Sequence, residues 1–169
     1  MRLFIGLPFS HQVRRDLLRV QKQLQKNAVK GNFTAVENFH LTLTFLGEVK
    51  EDRLPVVFDA LASVPMGPFA LTLDRLGSFE GGIWYLAPRP SPALMEGQVR
   101  LAQIFRERGF RLEASPYIPH VTLGRKILLR EGYCPPATLS RPILARSEGP
   151  WLFLSHRVEG ALRYDVLTP

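Results

Sequence analysis

Two hydrophobic rhythms alternate along this chain. Leu3, Phe4, Ile5 and Leu7 make a short apolar run, and Arg2–Leu7 is expected as an opening strand before Pro8. Val13, Leu17, Val20, Leu24 and Ala28 then recur at three- and four-residue steps, which predicts a helix capped by Ser10 and ended by Gly31. His40–Leu46 reads as extended, stopped by Gly47. A second helix is expected over 51–63, with Leu54, Val57, Phe58 and Leu61 inward and Pro55 in its tolerant first turn. Phe69–Leu73 and 82–87 read as strands joined through Phe79-Glu80-Gly81-Gly82. Ser91-Pro92 opens a third helix, with Met95, Val99, Ile104 and Phe105 inward and Gly109 closing it. His120–Gly124 is a further strand, Cys134-Pro135-Pro136 a loop, and Trp151–Val158 with Ala161–Leu167 a final hairpin turning at Glu159-Gly160.

This order does not suit a doubly wound parallel sheet, and neither G-x-G-x-x-G nor a P-loop pattern occurs. The expected fold is α+β: a single bilobal domain over 1–169, with two pseudo-symmetric antiparallel-sheet and helix lobes and an active-site cleft between them.

One pattern is written twice. His40-Leu41-Thr42-Leu43 and His120-Val121-Thr122-Leu123 stand 80 residues apart in a chain with only four histidines. At ordinary frequencies a histidine meets Thr and then Leu at those places roughly once in 150–200 cases. In a strand, residues i and i+2 share a face, so each motif presents an imidazole beside a hydroxyl. Two imidazoles can divide acid–base work, one taking a proton from an attacking hydroxyl or water and the other giving one to the leaving oxygen. Displacement at phosphorus is roughly in line, which asks for a histidine on each side. Thr42 and Thr122 can donate hydrogen bonds to non-bridging oxygens. Arg125 is the natural phosphate clamp, but at i+5 from His120 strict alternation turns it to the opposite face. It reaches the phosphate if the strand twists, bulges or ends at Gly124.

Other residues are assigned plainer roles. His11 is a surface or capping residue, His156 is structural, and Cys134 is a loop thiol. No Cys, Asp or Glu stands at ligand spacing from His40 or His120, so neither a metal nor any other cofactor is expected. Of Trp84 and Tyr85, one belongs to the core; the other, with Phe9 or Tyr117, is placed to stack on a base. The chain carries a net charge of +7, with 17 Arg and 5 Lys, which favours polyanionic partners. A single cysteine excludes an intramolecular disulfide and fits a reducing cytoplasm. The first residues are too short an apolar stretch for a signal peptide, and no membrane association is expected.

The chain resembles the two-histidine (2H) phosphoesterases, and within them the RNA 2′,3′-cyclic phosphodiesterases historically called 2′–5′ RNA ligases. Residues 37–48 and 119–125 are similar to that family's two motifs, 76–84 to its middle hairpin, and Gly160-Ala161-Leu162-Arg163-Tyr164 to its closing strand. The resemblance implies a metal-independent opening of a terminal 2′,3′-cyclic phosphate to a 2′-phosphate, on RNA ends or nucleoside 2′,3′-cyclic phosphates. It implies His40 as proton donor, His120 as proton acceptor, and Thr42, Thr122 and Arg125 as phosphate ligands. The reverse reaction would join RNA ends through a 2′–5′ linkage without ATP. A monomer is expected, since both half-sites lie on one chain. Thr34-Ala35-Val36, Ile118 and Gly124 depart from residues frequent in the family and bear on substrate preference. A non-catalytic RNA-binding module and a phosphodiesterase for another small cyclic phosphate or a 2′–5′ oligonucleotide are the alternative readings.

Overall fold

The computed structural model describes residues 1–169. In chain order its elements are β1 (Arg2–Pro8), α1 (His11–Lys26), β2 (Ala28–Phe33), β3 (His40–Glu48), α2 (Leu54–Ala62), β4 (Phe69–Phe79), β5 (Ile83–Pro88), α3 (Pro92–Glu107), β6 (Val121–Leu129), β7 (Thr138–Ser147), β8 (Trp151–Val158) and β9 (Ala161–Leu167). Short 3-10 turns precede β3 and α2. The strands form two sheets with antiparallel pairing throughout, one in the order β3-β1-β8-β9 and the other β2-β6-β5-β4-β7. The fold is therefore α+β, with one histidine motif at the start of a strand in each sheet. The sheets are not consecutive halves of the chain: the first is built from its two ends, and the second from its middle.

One apolar cluster runs through both sheets. Leu3, Ile5 and Leu7 of β1, Leu41 and Leu43 of β3, Leu86 of β5 and Val121 and Leu123 of β6 belong to it, and α1, α2 and α3 add Leu17, Val57 and Leu101. In each motif the residues between and beyond His and Thr are thus the core face, which leaves His and Thr on the other.

Four expectations from the sequence need correction. The first helix ends at Lys26, and Ala28 and Gly31 belong to β2, which pairs with β6. Gly31 is required there by close approach, because a Cβ would lie 2.7 Å from Ile127 Cγ1. Gly47 does not stop β3. With φ +72° it forms a bulge, Gly47 pairing with Leu3 and Phe45 with Phe4, and the strand continues to Glu48. The inward face of α3 is Leu94, Gly97, Leu101, Ala102 and Phe105, while Met95 and Val99 are exposed. Gly97 sets that phase by admitting Met66, whose Cε would lie 2.5 Å from a Cβ. Finally, β7 follows the proline-rich loop, and its Pro142 is tolerated because β7 is an edge strand.

Candidate active site

His40 starts β3 opposite Pro8, the last residue of β1, and Thr42 stands opposite Gly6. Gly6 makes room for the ring: a Cβ there would lie 2.9 Å from the Leu41 carbonyl oxygen and 3.4 Å from His40 Cδ2. The imidazole packs against Phe4 at 4.7 Å between centroids and meets the Tyr164 ring edge-on at 5.0 Å. His120 immediately precedes β6, with Phe79 edge-on at 5.0 Å and Tyr85 at 5.5 Å. Tyr85 lies flat over Gly77, where a Cβ would fall 2.6 Å from its hydroxyl. The two sheets thus repeat one device, a histidine seated on aromatic rings.

The repetition extends to the ring nitrogens. His40 Nδ1 lies 2.7 Å from the Asn38 carbonyl oxygen, and His120 Nδ1 lies 2.7 Å from that of Ile118. A carbonyl only accepts, so each Nδ1 carries the proton and donates it. Nε2 is then the nitrogen without a proton on both neutral rings. At His40 it lies 2.9 Å from Thr42 Oγ1, which donates to it when the ring is neutral.

Burial lowers the pKa of both imidazoles. For His40 it is pushed down to about 4 by burial, against the Asn38 hydrogen bond, with His120, Arg125 and Arg14 adding repulsion in that order. His120 is lowered by burial and by Arg125, again against its carbonyl bond. The charges of His120 and Arg125 reach His40, and that of Arg125 reaches His120, so the three groups lie near one another. Tyr164 shares this neighbourhood, its hydroxyl pKa raised by burial and drawn back by Arg125 and Arg2. Tyr117 ties the segment leading into β6 to β3, donating from its hydroxyl to the Thr42 carbonyl at 3.0 Å. Beside His120 a cavity of about 220 Å³ is lined by Thr42, Phe45, Phe79, Gln98, Glu113 and His120, among others. A larger hollow of about 740 Å³ lies between α1 and β7 and includes neither histidine.

Arg125 joins this face through a bulge. Trp84 pairs with Gly124 and Tyr85 with Thr122, leaving Leu123 without a partner on β5. The alternation slips by one residue, so Thr122 and Arg125 come to the same side. Gln21, buried on α1, secures the slip by donating to the Leu123 and Thr34 carbonyls, both at 2.7 Å.

Of the aromatic residues singled out in the sequence, Phe9 is core, Trp84 and Tyr117 pack against the core, and Tyr85 and Tyr117 border the cleft. Phe79 and Tyr164 were not singled out as site residues; each comes to its histidine from a distant strand, and no local pattern marks it. His11 is exposed at the start of α1, and His156 Nε2 lies 2.6 Å from Asp165 Oδ2 on the neighbouring strand. No group of three or more His, Cys, Asp or Glu side chains converges as a metal site, and no helix is long and apolar enough to cross a membrane.

The low pKa of His40 makes the fold acid-sensitive. An imidazole at about 4 in the folded chain and about 6.5 in the unfolded chain stabilises fully above pH 6.5, and this contribution is lost as pH falls from 6.5 towards 4. The loss is on the order of 2–3 kcal/mol at pH 4.5. Urea midpoints at pH 7 and 4.5 are expected to fall further apart for the parent than for His40→Leu. Equal shifts in the two proteins would refute the buried, neutral assignment.

Two antiparallel sheets, each presenting a His-x-Thr strand, are the fold of a two-histidine phosphoesterase. The family model described as LigT like Phosphoesterase matches residues 7–85. A relative from Archaeoglobus fulgidus named RNA 2′,3′-cyclic phosphodiesterase is 32% identical over 138 residues, covering 74% of this chain and 72% of its own. One of the same name from Thermotoga maritima is 28% identical over 131 residues, with 74% and 70% covered. The crystal structure of E. coli LigT complexed with 3′-AMP superposes with a TM-score of 0.86 at 25% identity, over 99% of this chain and 95% of that one. The chain belongs to the LigT-like phosphoesterase family.

Proposed function

We propose that this protein is an RNA 2′,3′-cyclic phosphodiesterase that opens the terminal cyclic phosphate to a 2′-phosphate without a metal. The observation that carries this reading is the mirrored pair of imidazoles, each with Nδ1 bound to a main-chain carbonyl and Nε2 left for the substrate. In this mechanism His120 Nε2 takes a proton from water as the water oxygen bonds to phosphorus. The P–O3′ bond breaks, and His40 Nε2 gives its proton to the departing O3′. Thr42, Thr122 and Arg125 hold the non-bridging oxygens while charge builds on them. His120 is the less deeply buried of the two, which suits the residue that must receive water. His40 is neutral in the free protein, so it takes up its proton together with the anionic substrate, whose charge offsets Arg125 and Arg14. The same groups in the same roles, with an RNA 5′-hydroxyl in place of water, would join that hydroxyl to the cyclic end through a 2′–5′ linkage as O3′ departs.

A nucleoside 2′,3′-cyclic phosphate incubated with the protein in excess chelator tests the reading. The expected product is the 2′-monophosphate alone, at a rate unchanged by chelation. Formation of the 3′-monophosphate would reverse the direction of opening. Loss of turnover on chelation would overturn metal independence. Salt-sensitive binding of RNA with cyclic ends and no product would favour a binding module instead.

A further inference from the structure

Arg14 is a cation near His40 that neither the proton transfers nor the reacting phosphate uses. Arg14 lies one turn into α1, on the His40 side. The backbone fixes this position: Pro8 ends β1 opposite His40, and the carbonyl of the capping residue Ser10 accepts the Arg14 N–H at 3.0 Å. Arg14 is half-buried, and its Nε is buried with no hydrogen-bond partner. The nearest acid along the helix, Asp16, is engaged by Arg19 and by Gln12. The positive charge of Arg14 also reaches the His40 ring, where it opposes protonation.

A guanidinium with a desolvated, unpaired donor is costly, and a buried polar atom without a partner asks for a reason. An anion supplies one. The reacting phosphate already has Arg125, Thr42 and Thr122. An RNA end brings a second anion that a cyclic mononucleotide lacks, the phosphodiester immediately 5′ of the terminal nucleotide. On the proposed mechanism O3′ departs towards His40, so the terminal ribose lies on that side of the cleft, and its own 5′-phosphate falls within reach of α1. A planar fork of donors suits a phosphodiester.

We infer that Arg14 binds the phosphodiester 5′ of the terminal nucleotide and so makes the site prefer RNA ends to cyclic mononucleotides. The inference rests on the phosphodiesterase reading above. It gives Arg14 a role in substrate binding and none in proton transfer.

Three substrates test it: a nucleoside 2′,3′-cyclic phosphate, a dinucleotide with the same cyclic end, and that dinucleotide with an uncharged methylphosphonate linkage. Arg14→Gln is expected to lower the ratio of kcat/KM for dinucleotide over mononucleotide by about tenfold, through KM and not kcat. Arg14→Lys, which keeps the charge, is expected to recover most of that ratio. The parent is expected to lose a similar factor on the methylphosphonate, where Arg14→Gln loses nothing further. An unchanged ratio in Arg14→Gln, or the same loss on charged and uncharged linkages, would overturn the inference. A parent that turns over none of the three substrates would instead refute the phosphodiesterase reading beneath it.

Discussion

Alanine at His40 or at His120 is expected to lower kcat by about 10²–10⁴-fold, and the double variant to fall little below the weaker single one. The two substitutions should nevertheless differ in kind. A proton donor matters only where the leaving oxygen is a poor leaving group. An aryl phosphodiester, whose phenolate departs without a proton, is therefore expected to restore most of the activity of His40→Ala. His120→Ala should stay inactive on it, because water still has to lose a proton to attack. Comparison of the two variants on a cyclic nucleotide and on the aryl ester checks the division of labour. Rescue of His120→Ala in place of His40→Ala would exchange the roles, and rescue of neither would refute them. Folding needs its own control, because His40 is packed against Phe4, Phe153 and Tyr164 and its removal leaves a gap among them. His40→Gln, which fills more of that space without titrating, is expected to be as inactive as His40→Ala with a melting temperature nearer the parent.

The sequence makes the centre of this site legible and hides its surroundings, for a physical reason. A strand's period of two is a local rule, so His-x-Thr announces a shared face wherever the strand lies, and the repetition of the motif supplies its partner. The faces that read correctly are those whose burial is one-sided and local, such as that of α1 with Val13, Leu17 and Leu24 inward, although its end at Lys26 does not. The strands that escaped notice, β2 and β7, are edge strands. Ala28-Val29-Lys30-Gly31-Asn32-Phe33 has little to alternate, since no residue of β2 is buried, and Pro142 interrupts β7. The phase of α3 is hidden because glycine, at Gly97, occupies a buried position that a hydrophobicity pattern does not count. Tyr164 and Phe79 reach the histidines only through tertiary pairing, which leaves no trace in spacing.

Arg125 lies between these cases. Its chemistry is evident from its type and from its nearness to His120, yet alternation alone turns it away from the cleft. The bulge at Leu123 resolves the conflict, and it is a tertiary feature: α1 must deliver Gln21 to the Leu123 carbonyl, which the Thr34 N–H also reaches. Charge and placement can therefore be tested separately. Arg125→Ala is expected to lower kcat/KM by about 10²–10³-fold, the scale of losing a donor aimed at developing charge. Arg125→Lys should regain only a part, because a point charge does not reproduce the paired donors of a guanidinium. Gln21→Met leaves every cleft residue in place but removes both side-chain hydrogen bonds that brace the bulge. It is expected to destabilise the fold by about 1–3 kcal/mol, the scale of leaving the Thr34 carbonyl without its donor, since the Leu123 carbonyl still accepts the Thr34 N–H at 3.0 Å. Its activity should fall towards that of Arg125→Ala, while the combination Gln21→Met with Arg125→Ala loses little more than either alone. Full additivity in that double-mutant cycle would mean that the bulge and the arginine act independently, and the link from α1 through Leu123 to the phosphate would be refuted.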